Sequence, residues 1–72
     1  GKIKLERIAV EQNGDKVALF GSTDGVVILC SKDSGACKQQ IINEKLKQGR
    51  DIEFDEQGRL LVLFGGSVGV LN

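Results

Sequence analysis

Apolar residues in this chain fall in short clusters of four or five, separated by Gly, Asn, Asp and Ser. Ile8 and Val10 alternate with polar neighbours, as a half-buried strand requires. Ile3 and Leu5 also alternate, but their phase is shifted by one against Ile8 and Val10. A strand cannot hold both pairs on one face without a bulge, so the first full strand is expected near Glu6, with Ile3 and Leu5 as an entry segment. Residues 12–15, Gln-Asn-Gly-Asp, then carry the strongest short-range hairpin signal, Asn-Gly.

Residues 17–20 and 26–30 are unbroken apolar runs, the pattern of strands covered on both faces, so these two are expected at the centre of a sheet. Turn chemistry separates them at residues 21–25 and returns at 33–35. Residues 36–42 are more polar, as suits an outer strand, and 43–50 reads as a connecting loop. A second series follows: a strand over 51–54, a turn over 55–58, a strand over 60–64, a turn near 65–67 and a strand over 68–71. The expectation is an all-β chain of antiparallel strands, four and then three. Residues 36–48 also read as a helix, with Ser34 as N-cap, Cys37, Ile41 and Leu46 roughly on one face and Gly49 terminating it. That alternative is an α+β chain with a three-stranded unit on each side of one helix, suited to a small dimerisation domain.

The two series are copies of each other. At an offset of 44 residues, Ile8 aligns with Ile52, Gly14 with Gly58, Leu19-Phe20-Gly21 with Leu63-Phe64-Gly65, and Gly25-Val26 with Gly69-Val70. The first unit spans residues 6–43 and the second, lacking a fourth strand, spans 50–72. The alignment predicts that Phe20 and Phe64 are equally buried between sheets. A start at Gly and an end at Asn72, inside the second copy, are those expected of an internal piece of a longer array.

Composition narrows the chemistry. The chain of 72 residues has ten basic and ten acidic residues, so no net field draws it to nucleic acid or an anionic membrane. No apolar run approaches the roughly 18 residues of a membrane helix, so membrane insertion is not expected. His, Trp, Tyr, Met and Pro are absent. Two cysteines are too few for a disulfide framework and agree with a reducing compartment.

Four short strands at a period of 40 to 45 residues is the rhythm of a β-propeller blade. Residues 21–31, Gly-Ser-Thr-Asp-Gly-Val-Val-Ile-Leu-Cys-Ser, resemble the GSxDGxhxhWD segment of WD40 repeats, and residues 31–35 fall in step with the DxxTG turn of that family. Nearly the whole chain is covered. Cys30 stands where the family has Trp, no His is present, and Val68 stands where the first unit has Asp24. The resemblance implies a degenerate WD40-like propeller fragment of about one and three-quarter blades, with Ser22, Asp24, Gly25 and Gly35 in blade-turn roles. It further implies an interaction scaffold within a larger assembly in an intracellular setting, cytoplasmic or nuclear. Partners would be other proteins or the remaining blades, met on loops that carry Asn13, Asp15, Lys45, Lys47 and Arg50, with self-association through open sheet edges. The competing expectation is an enzymatic or ligand-binding propeller whose site is built by blades outside these residues.

Each remaining feature has an ordinary account. Cys30 and Cys37 face each other if the intervening turn centres on residues 33 and 34, and a disulfide then closes; if it centres on 34 and 35, Cys30 meets Gln39. The ordinary expectation is that Cys30 is a small buried hydrophobe and Cys37 a surface residue. Two thiols without His fall short of a metal set. The glycine-rich turns lack the following helix that a phosphate loop needs, so no cofactor is expected. The carboxylates lie in turns rather than as a converging pair, so no catalytic residue is expected. The basic stretch at 45–50 has no aromatic residue for stacking on bases.

Overall fold

The computed structural model describes residues 2–71 and is all-β. Strands β1 (Arg7–Val10), β2 (Lys16–Gly21), β3 (Val26–Ser31) and β4 (Cys37–Ile42) form an antiparallel sheet in sequence order. Strands β5 (Asp51–Phe54), β6 (Leu60–Leu63) and β7 (Val68–Leu71) form a second. The unbroken apolar runs of β2 and β3 hold the centre of the first sheet, as expected, and the polar β4 lies at its edge. The helix alternative for residues 36–48 is overturned. Residues 37–42 pair with β3, and only Glu44–Gln48 winds, as a short 3-10 turn.

That turn explains how the two sheets are joined. Asn43 caps it, its side chain accepting from the Lys45 amide at 2.9 Å, and Leu46 points inward and is 2 % exposed. Gly49 closes it at a point where a Cβ would lie 2.8 Å from the Phe20 ring, so only glycine fits without movement. The core is a face-to-face contact: Ala9, Ala18, Phe20 and Val27 of the first sheet, Leu46 between, and Ile52, Leu60 and Val62 of the second. Cross-strand register fixes which residues share a face. Ile8, Leu19 and Ile28 lie opposite one another, as do Val10, Val17 and Cys30, so these six form the outer face of the first sheet. Glu53, Leu61 and Val70, with Leu63 and Val68, form the outer face of the second.

The repeat is realised with two slips. Val10 pairs with Val17, but Phe54 pairs with Leu60, so the β5–β6 turn is one residue shorter than its counterpart. The next strand reverses after Leu63, whereas β2 continues to Gly21. The residue that takes the place of Phe20 is therefore Leu63, not Phe64. Phe20 is 1 % exposed; Phe64 lies beyond the end of β6, half-buried, its ring 3.0 Å from the point where a Cβ on Gly69 would stand. The expected equivalence of the two phenylalanines fails for this reason.

The cysteines also depart from the ordinary expectation. Cys30 and Cys37 are joined by a disulfide, with Cα atoms 3.9 Å apart. The turn takes the register centred on residues 33 and 34, while Leu29 lies opposite Gln39, and the two registers are reconciled by a bulge at Lys38.

Candidate functional site

Antiparallel hairpins send successive turns to opposite ends of a sheet, and this divides the residues singled out from the sequence. The β1–β2 turn, with Asn13 and Asp15, lies at the same end as the β3–β4 turn with Gly35. The β2–β3 turn, with Ser22, Asp24 and Gly25, lies at the other end, beside residues 43–50. One continuous partner platform from Asn13 to Arg50 is therefore excluded within the first unit.

At the first end Asp15 is a clasp rather than a free acid. Ser31 Oγ donates to Asp15 Oδ2 at 2.6 Å and the Asp33 amide to Oδ1 at 3.0 Å, while the Lys32 amide donates to the Asp15 carbonyl at 2.7 Å. The Ser31 hydroxyl, and after it the Asp33 amide, hold this carboxyl below the usual carboxylate range. Lys32 Nζ donates to the Glu11 carbonyl at 2.7 Å, so the two turns are tied twice. Gly35 at φ 75° supplies the left-handed residue that the β3–β4 turn needs.

At the second end the entry segment supplies the partner. Ser22 donates to Glu6 Oε1 from its hydroxyl at 2.7 Å and from its amide at 3.2 Å, and these bonds hold the Glu6 carboxyl down. The Lys4 amide donates to Asp24 Oδ2 at 3.2 Å. Lys4 crosses the outer face over Gly21, its carbonyl lying where a Cβ would stand, and Val26 beneath is 1 % exposed. Gly25, at φ 64°, receives the Asn43 amide on its carbonyl at 3.0 Å, which docks the connecting segment onto the β2–β3 turn. Ser22 and Asp24 thus fix this end of the first sheet by binding the entry segment, a partnership that no spacing signal in the sequence disclosed.

The exposed part of this second end carries three basic residues beside the acidic Glu44 and Asp24. Lys45, Lys47 and Arg50 all face solvent; Lys47 Nζ stands 3.2 Å from Glu44, and Lys45 Nζ lies 5.3 Å from the Phe64 ring centroid. Beyond these ends, a cleft of about 480 Å³ opens between the β1–β2 and β5–β6 turns, lined by Glu11, Asn13, Phe54, Asp55, Glu56 and Gly58. Two of its carboxylates are committed to their own turns: Glu11 accepts from the Lys16 amide, and Asp55 from the Gln57 and Arg59 amides and the Arg59 side chain. The Arg59 amide, first among these, holds Asp55 low. A general acid at neutral pH needs the opposite displacement.

Among the described residues no group of three or more His, Cys, Asp or Glu side chains is placed to hold a metal ion. No helix among them is long and apolar enough to cross a membrane. A formed disulfide removes the basis for reading a reducing compartment from the two cysteines. Comparison with protein families, curated proteins and solved structures finds no match to this chain.

Proposed function

We propose that the chain is a protein–protein interaction module, a piece of a WD40-like β-propeller whose blades serve as scaffold and whose turns meet partners. The observation that carries the proposal is the division of labour between faces and ends. The central strands β2, β3 and β6 are apolar on both faces, as blades stacked between neighbours must be, while most of the charged residues gather at the edge strands, turns and connections. Three carboxylates, Glu6 of the entry segment and Asp15 and Asp55 of the turns, are spent on holding turns in shape. That is a means of presenting a rigid loop surface, and rigid loops on a scaffold are where partners are bound.

We assign the partner-facing surface to the second end, on Lys45, Lys47 and Arg50, of which Lys47 lies against Gly25 of the β2–β3 turn. Affinity capture from cell extract with the wild-type chain, compared with a triple Lys45→Glu, Lys47→Glu, Arg50→Glu variant, tests this. Proteins enriched by the wild type and lost with the triple variant, but kept by Asn13→Ala at the opposite end, are the expected result. Equal capture by all three chains removes the assignment.

A further inference from the structure

The two outer faces of the molecule stand in the same relation to each other as the two faces already in contact. Matching the units strand by strand through their pairing, Ile8 and Val10 correspond to Ile52 and Phe54, and Val17 and Leu19 to Leu60 and Val62. The first four lie on the outer face of the first sheet; their counterparts line the inner face of the second. Ile8 is 63 % exposed and Ile52 5 %. The reverse holds on the other side. Ala18, Phe20 and Val27 of the inner face of the first sheet correspond to Leu61, Leu63 and Val68 of the outer face of the second, and Leu63 and Val68 are exposed.

From this we infer that a second copy of the chain stacks head-to-tail, its first sheet laid over the second sheet of its neighbour in the arrangement that the two sheets adopt within one chain. The inference rests on the blade-repeat part of the proposed function and not on the partner-facing loops. Charge follows the same rule as shape. Arg7 and Asp51 occupy the same position in their units and stand 3.9 Å apart across the existing junction. At a junction between copies, the Asp51 position of one chain meets the Arg7 position of the next, again with opposite signs. The contact is heterologous, so it continues until the rotation closes a ring or an open array forms. The open edges of β4 and β7 are not required for it.

Sedimentation equilibrium of the 7.7 kDa chain from about 10 to 500 µM is the test, with two variants that each spoil one face. Ile8 and Val68 are both largely exposed, so Ile8→Lys and Val68→Lys leave the core intact, which far-UV circular dichroism checks. The wild type is expected to grow beyond a dimer with concentration. Each variant alone is expected to remain a monomer, and an equimolar mixture of the two to reach a dimer of twice the chain mass and stop there. A wild type that stays monomeric at the highest concentration overturns the inference, as does a mixture that remains monomeric. Dimerisation of Ile8→Lys alone also overturns it, because that means like faces pair with like. A monomeric wild type that still captures partners through the basic end leaves the interaction proposal standing, so the two failures are separable.

Discussion

Ile8 and Ile52 head aligned copies of one sequence motif, are the second residues of strands of the same length and lie in equivalent positions, yet one is bare and the other buried. Nothing local separates them. The difference is that Ile52 faces the first sheet across the junction, whereas no described element covers Ile8. Burial in a repeat belongs to the junction rather than to the residue, and the same motif supplies a core in one place and an unsatisfied surface in the other.

The largest test of that comparison is made at the phenylalanines. Phe20→Ala removes a ring that is 1 % exposed and touches both sheets, at an expected cost of about 3 to 5 kcal/mol. A chain of this size has little more than that to lose, so the variant should show no cooperative melt by circular dichroism. Phe64→Ala removes a half-buried ring that leans on Gly69 and should cost about 1 kcal/mol. Equal melting of the two variants would restore the equivalence suggested by the offset of 44 and break the strand-by-strand matching used here.

Ile52→Ala and Ile8→Ala sharpen the point at an intermediate scale. In a Val68→Lys background, where stacking is blocked, Ile52→Ala is expected to lose about 2 to 5 kcal/mol. Ile8→Ala should stay within about 0.5 kcal/mol. Urea midpoints measured on the two chains decide it, and a destabilisation at Ile8 approaching that at Ile52 means that its outer face is already covered within the monomer.

The sequence made the strands legible because each is bounded by Gly, Asn or Asp at turns that need them, and because β2 and β3 are too apolar to lie anywhere but the centre of a sheet. The register was not legible. A turn one residue shorter leaves the composition of residues 55–59 unremarkable, yet it replaces Phe64 by Leu63 at the core-equivalent position. The disulfide was hidden for a similar reason, since two turn centres one residue apart are both good chemistry and only the bulge at Lys38 lets the hairpin satisfy the cysteines and the strand together. Of the candidate site residues, Ser22, Asp24, Gly25 and Gly35 sit in turns as their types demand. Glu6 and Lys4, which bind Ser22 and Asp24, carry no signal beyond being polar residues ahead of a strand.

The two ends of the first sheet should respond alike to acid and differently from its faces. Glu6 and Asp15 have carboxyls held below their ordinary range by bonds that exist only in the folded chain. Folding therefore favours the ionised forms, and the stability they contribute is fully present above the ordinary carboxylate range and lost as pH falls through the lowered folded values. The melting temperature should drop from neutral pH into that acid window. Asp15→Asn should flatten part of the drop, because the amide keeps an acceptor for Ser31 but has no proton to take up. An unchanged acid profile in Asp15→Asn, with Glu6→Gln equally silent, would mean that the clasps do not hold the turns.

The smallest expected effect sets the floor of the comparison. Lys47 and its partner Glu44 are three residues apart on a single 3-10 turn and both are open to solvent. Exposed pairs of this kind are worth about 0.2 to 1 kcal/mol before salt screens them. Lys47→Ala should therefore move the urea midpoint by little at low salt and by nothing measurable near 1 M, where the Debye length falls to about 3 Å. A larger, salt-resistant loss must come from somewhere other than charge. The Lys47 side chain runs along Gly25, its Cγ 3.0 Å from where a Cβ there would stand, so such a loss would report packing of the connecting segment on the β2–β3 turn. That would make Lys47 a structural contact at this end of the first sheet rather than a free cation offered to a partner, and would move the proposed binding surface to Lys45 and Arg50.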